Sequence, residues 1–188
     1  MKRILSVITV IFCLAVPNIP AQRTLPGQRS LQVMAGTVNG VNLNDGFHTG
    51  IAFSEYVKNA GKWVFGTVYL EKDYSYKSIK IPQSQFTIEG GYFLKMLSDP
   101  HRTFFVSVGA SAIGGYETVN WGRKLLFDGA TIVSKDNFLY GGTLTLEAEV
   151  FLAGRLILFA GVSERLLEGS SVGKFYTLPE VGIKWMIN

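Results

Sequence analysis

The sequence predicts an all-β protein, an eight-stranded antiparallel up-and-down β-barrel of outer-membrane type preceded by a signal peptide. Three observations lead there. The 188-residue chain is 47% hydrophobic and 13% aromatic but only 17% charged, with 21 glycines, against an average charged fraction near roughly 25%. A disordered chain would lack the aromatics, and a helical bundle would be poor in glycine and rich in Ala, Glu and Lys. The one long apolar run lies at the N-terminus, which argues against a bundle of membrane-spanning helices. The remainder alternates apolar and polar residues with period two, the signature of half-buried strands.

Taken in order, residues 1–21 read as the signal peptide. Lys2 and Arg3 form a positive start, Ile4 to Val16 an uncharged apolar stretch too short to span a bilayer, and Pro17 and Pro20 end it, with cleavage expected after Ala21. Cys13, the single cysteine, lies inside the apolar stretch, and Phe12 before it is too large for a lipoprotein cleavage site. Cleavage would leave 167 residues without cysteine and lower the net charge from +4 to +2. Disulfides are then not needed, and no direct nucleic-acid binding is expected.

A polar leader, 22–30, precedes a barrel domain, 31–188. Eight strand-like segments are expected at about 31–40, 46–57, 62–72, 83–96, 102–117, 137–152, 155–167 and 174–187. The sixth alternates most sharply: Tyr140, Gly142, Leu144, Leu146, Ala148 and Val150 on one face, Leu139, Gly141, Thr143, Thr145, Glu147 and Glu149 on the other. The second, fourth, seventh and eighth repeat the pattern. Lys58 to Gly61, Ser98 to Pro100 and Ala153-Gly154 are short, turn-like links, whereas Glu71 to Pro82, Glu117 to Asp136 and Leu167 to Gly173 are long. Tight turns at one end and loops at the other match a barrel with its short turns in the periplasm.

The polar face decides which side is wet. It is mostly Gly, Ser, Thr and Ala with isolated charges, which suits a narrow lumen better than a solvated surface. The charges expected in the lumen are Glu55, Glu89, Lys95, Glu147, Glu149, Arg165 and Lys184. Ionised groups in so narrow a space should pair, so Glu89, Lys95, Glu147, Glu149, Arg165 and Lys184 are expected to form one network. Within it, Arg165 should lie near Glu147 or Glu149 on the adjacent strand. Trp63, Tyr69, Tyr92, Phe104, Tyr140 and Trp185 on the apolar face are expected to form girdles at the membrane interfaces.

No chemistry is expected. His48 and His101 are the only histidines, and no nucleophile elbow, phosphate loop or dinucleotide fingerprint occurs. No catalytic residue, cofactor or metal ligand is assigned, and the protein is not read as an enzyme. The loop Glu117 to Asp136 holds a candidate partner-binding surface in Trp121, Arg123, Lys124, Leu125, Leu126 and Phe127. Leu125 to Phe127 could equally continue a strand or plug the barrel mouth.

Several stretches resemble the TraO family of Bacteroidetes conjugative-transposon transfer proteins. They are Gln22–Gln28 (QRTLPGQ), Lys62–Gly66 (KWVFG), Glu89–Lys95 (EGGYFLK), Leu97–Pro100 (LSDP), Asn120–Gly122 (NWG), Leu125–Ala130 (LLFDGA), Gly169–Phe175 (GSSVGKF) and Gly182–Lys184 (GIK). The resemblance covers nearly the whole chain after residue 21. It implies a part in conjugal DNA transfer as an envelope component of the transfer apparatus. Taken with the barrel pattern, the expectation is a structural outer-membrane component of a type IV-like system, with membrane lipid and other transfer proteins as partners and room for a homo-oligomer within the complex. An eight-stranded barrel is too narrow to pass DNA, so contacts would be made through the loops or through Arg23 to Arg29. A small pore or adhesin-like barrel, and a soluble periplasmic ligand-binding barrel, remain open from the residues alone.

Overall fold

A computed structural model describes residues 25–40, 46–58, 61–77, 79–125, 129–132, 136–170 and 173–187. The expected signal peptide, its cleavage site and Gln22 to Thr24 of the leader lie outside these residues.

The chain forms eight antiparallel strands: β1 (Arg29–Thr37), β2 (Gly46–Tyr56), β3 (Gly61–Tyr76), β4 (Ile79–Ser98), β5 (Phe104–Val119), β6 (Asn137–Ala153), β7 (Leu156–Glu168) and β8 (Phe175–Met186). Each strand pairs with its sequence neighbours, and β1 closes on β8 through Ser30↔Met186 to Gly36↔Glu180. Closure leaves the barrel wall itself without a free edge. β1 starts at Arg29, just after a turn in which the Gly27 amide donates to the Tyr56 carbonyl, 2.7 Å away.

One connection differs from expectation. Glu71 to Pro82 is not a long loop: β3 and β4 continue as a ladder to Tyr76↔Ile79, with Asp73 opposite Pro82. Pro82 reads as a strand breaker because it has no N–H. Here β5 pairs with β4 only from Gln83 onward, so Pro82 has a neighbouring strand on one side alone, where proline is tolerated.

The polarity of the wall is inverted relative to a soluble barrel. Leu31, Val33, Ile51, Phe65, Ile88, Leu144, Leu146, Val181 and Ile183 are exposed on the outside, while Ser30, Gln32, Gln83, Gln85, Thr143, Thr145, Glu147, Glu149 and Lys184 are buried inside. This is the pattern of a barrel solvated by lipid. Two glycines let the narrow wall take large rings inside. A Cβ on Gly109 would lie 2.5 Å from the ring of Phe93, its cross-strand partner. One on Gly182 would lie 2.6 Å from the ring of its partner Phe159.

The lumen is filled in layers. Tyr56, Phe105, Phe151, Ile157 and Met186 pack at the short-turn end. Met34, Ala52, Val68 and Phe159 form a middle layer. Val38, Leu70, Ile113, Leu139, Leu167, Tyr176 and Leu178 fill the long-loop end.

Candidate functional site

Four charged side chains form a closed ring inside the barrel. Lys62 enters from β3 and Lys184 from β8, and both reach the two carboxylates that β6 sends inward. Lys62 Nζ donates to Glu147 Oε1 at 2.5 Å and to Glu149 Oε1 at 2.8 Å. Lys184 Nζ donates to Glu147 Oε2 and to Glu149 Oε1, each at 2.7 Å. All four side chains are at most 4% exposed. Two cations matched to two carboxylates meet the condition under which buried charge is tolerated. Rings brace the ring of charge: Lys62 Nζ lies 5.3 Å from the Phe93 centroid, and Lys184 Nζ lies 4.5 Å from that of Phe159.

Two expectations about the lumen are corrected. Arg165 Nη2 donates to Glu89 Oε1 rather than to Glu147 or Glu149. β4 and β7 are separated by β5 and β6 around the barrel, and the lumen is narrow enough for a long side chain to reach past them. Glu55 is not in the lumen. It shares its parity with Phe47, Ile51 and Phe53, lies on the outside at the short-turn rim, and meets Arg29 Nε at 3.4 Å. Lys95 does point inward, with Nζ 3.7 Å from the Phe105 centroid.

Sequence reasoning missed Lys62. Its alternation with outward Trp63, Phe65 and Thr67 was available, but the inner face of β3 also carries Val64, Val68 and Leu70, so the strand reads apolar on both sides. It also missed a second polar cluster at the long-loop end. There Glu117 Oε2 accepts from Gln83 Nε2 at 2.6 Å, Gln85 Nε2 at 3.0 Å and Ser170 Oγ at 2.7 Å. The Tyr176 hydroxyl accepts from both amides at 3.2 Å. His48 Nε2 lies 3.2 Å from the Pro179 carbonyl oxygen, so that nitrogen serves as a donor. Between the layers is a cavity of about 40 Å³ lined by Gln32, Glu89, Arg165 and Glu180 among others. That is room for a few waters and not for a passing solute.

The six aromatics expected at interfaces all point outward, in two groups. Trp63, Tyr92, Phe104 and Trp185 lie toward the short-turn end, where Trp63 and Tyr92 meet edge to face at 5.0 Å. Tyr69 and Tyr140 lie toward the long-loop end, joined there by Phe47, Phe86, Tyr116, Phe138 and Phe175. From Trp185 to Phe175 along β8, a rise of roughly 3.3 Å per residue and a tilt near 40° separate the groups by about 25 Å. That is the height of the apolar band of a transmembrane barrel.

In the loop between β5 and β6, Trp121, Arg123, Lys124 and Leu125 are exposed. Leu126 and Phe127 lie outside the described residues. β5 ends at Val119, and Leu125 then bridges to Thr131. Asn120, Trp121 and Gly122 are all left-handed, with φ of 52°, 51° and 77°. The Arg123 amide donates to the Asn120 carbonyl at 3.0 Å, and Asn120 Nδ2 donates to the Arg123 carbonyl at 2.8 Å. The turn holds Trp121 out at 58% exposure.

A family model described as conjugative transposon protein TraO matches residues 25–187. Among solved structures, that of Neisserial surface protein A (NspA) is similar with a TM-score of 0.57 at 14% identity, covering 84% of this chain and 96% of that one. At that identity the likeness is one of fold. No curated protein matches the chain.

Proposed function

The chain belongs to the TraO family of conjugative transposon proteins, and from that premise we propose that it is a structural outer-membrane component of the element's type IV-like DNA-transfer apparatus. Family membership supplies the link to transfer. The observation that carries the role is the combination of a lipid-type outer wall with a filled lumen. Ile51, Ile88, Leu144 and Ile183 present apolar surface all round the barrel, which suits a bilayer. Inside, among the described residues, the Lys62–Glu147–Lys184–Glu149 ring and buried apolar layers fill the lumen, which argues against passage of a solute. A barrel that conducts nothing acts through its surfaces. Its role would be to hold other transfer proteins at the outer membrane, through the exposed loops and the segment Arg23 to Arg29.

The test is genetic and biochemical together. Deletion in the donor should abolish transposon transfer without changing growth, and the full-length gene should restore it. Normal transfer frequency in the deletion strain would reject the role. The protein should fractionate with the outer membrane and migrate faster on a gel when unheated. Recovery from the periplasm without detergent would reject the location.

A further inference from the structure

The outer wall is not uniform. Between the upper aromatic group and the mid-wall runs a groove of about 540 Å³ across β3, β4, β5 and β6, a size typical of sites that hold small organic ligands. Tyr69, Phe86, Ile88, Tyr116 and Phe138 form its sides, and Gly114 its floor. A Cβ built on Gly114 meets no heavy atom within 4 Å. The groove thus exists because Gly114, with no side chain, sits among large rings. The outward residues of β5 shrink along the strand from Phe104, Val106 and Val108 through Ala110 and Ala112 to Gly114, the smallest, before Tyr116.

The loop that carries Trp121 stands over the same strands. Its left-handed turn lies against β4 and β5, the two strands that form the middle of the groove. Its root is tied to the groove wall: the Tyr116 hydroxyl donates to Asp136 Oδ2 at 3.3 Å, and the Val119 amide donates to Asp136 Oδ1 at 3.4 Å. Asp136 is thereby turned to the barrel, while Arg123 and Lys124 remain exposed. Among the described residues no ion pair holds either cation. An indole and two cations above an apolar groove are the complement of an anionic headgroup above an acyl chain.

We propose that this part of the wall binds one lipid whose headgroup bears phosphate with net negative charge. The acyl chain lies in the Gly114 groove, the phosphate meets Arg123 and Lys124, and Trp121 lies at the headgroup level. The inference rests on the outer-membrane location proposed above. It assigns the exposed loop a lipid where its sequence alone suggested a protein.

The test uses the full-length protein purified in detergent micelles doped with phosphatidylglycerol or, separately, phosphatidylcholine, with bound lipid counted by native mass spectrometry. One phosphatidylglycerol should be retained per barrel under activation that strips phosphatidylcholine. Serine at both Arg123 and Lys124 should lower phosphatidylglycerol retention at least tenfold and leave phosphatidylcholine unchanged. Gly114→Leu starts from a Cβ that meets no heavy atom within 4 Å and places a side chain in the groove, so it should also lower phosphatidylglycerol retention. Faster migration of the unheated protein checks that each variant is folded, and the loop variant lies off the barrel wall. Equal retention of the two lipids by the unsubstituted protein would overturn the proposal. So would unchanged phosphatidylglycerol retention in the loop variant, or a transfer protein captured through Trp121 in place of lipid. Failure of the location itself reads out differently, as a barrel that stays soluble before any lipid is added.

Discussion

Lys62 and Lys184 come from strands that do not pair with each other, yet their Nζ atoms hold the same two carboxylates. Both donate to Glu149 Oε1, at 2.8 and 2.7 Å, and they take opposite oxygens of Glu147. Three strands, β3, β6 and β8, are thus tied across the lumen by groups that water does not reach.

Removing one cation leaves two buried carboxylates with one partner. Lys184→Met should therefore destabilise the barrel by about 3–5 kcal/mol, seen as a lower urea midpoint for unfolding from lipid vesicles. Adding Glu149→Leu leaves Lys62 with Glu147 as a matched pair and should recover about 1–3 kcal/mol, the size of coupling found between contacting groups. A double variant less stable than the single one would show that the four groups do not act as a neutral set.

Arg165 and Glu89 form a separate cross-lumen pair, with side chains 3% and 17% exposed. Glu89 keeps some access to the mid-lumen cavity. Arg165→Ala should fall at the lower end of the same range, about 3 kcal/mol. Its effect should add to that of Lys184→Met, since the two clusters share no ion pair. Strong non-additivity in the double variant would place all the charges in one network.

The wall offers a test by position. Leu144 is 65% exposed on the outside of β6, about midway between the aromatic groups, and Leu97 is equally exposed at the short-turn rim. In a bilayer Leu144→Arg should cost about 2–4 kcal/mol and Leu97→Arg about 0–1 kcal/mol. Unfolding from vesicles measures both. Two neutral substitutions would be the result for a wall that faces water.

Asp99 caps the turn between β4 and β5. Its carboxylate accepts from the amides of Phe104, Thr103 and His101 at 2.8, 2.6 and 3.2 Å. These bonds, that from Phe104 foremost, hold it below its ordinary value of 3.8. A carboxyl group whose value is lowered on folding stabilises the fold above its unfolded value, and that contribution is lost as pH falls through the folded one. Asp99→Asn should be less stable than the parent at neutral pH, with the gap closing below about pH 4. A gap that stays constant with pH would assign the turn's stability to shape rather than charge.

Much of the barrel was legible because a strand with one face in lipid and one in a filled lumen repeats every two residues. Leu144 and Leu146 against Thr145 and Glu147 place β6 almost by themselves. The rule failed where both faces are apolar. Val64, Val68 and Leu70 line the lumen beside Lys62, so nothing in the strand's pattern marked the lysine's face as the inner one. Pro82 hid the extension of β4 because a proline's cost depends on whether a neighbouring strand is present, which its own segment does not record. Arg165 was matched to the adjacent strand because pairing along a sheet is local, whereas pairing across a lumen is not.

By itself the sequence determined the number of strands, their faces, the end that carries tight turns, and the shortage of charge on the outer wall. These follow from a period of two and from composition, both properties of the chain alone. Only the tertiary structure decided which charges meet across the lumen and that Gly114 leaves a groove among large rings. Those depend on stagger around a closed barrel and on the width of its lumen. Both arise only when β8 returns to β1, because closure brings together residues that no local period relates.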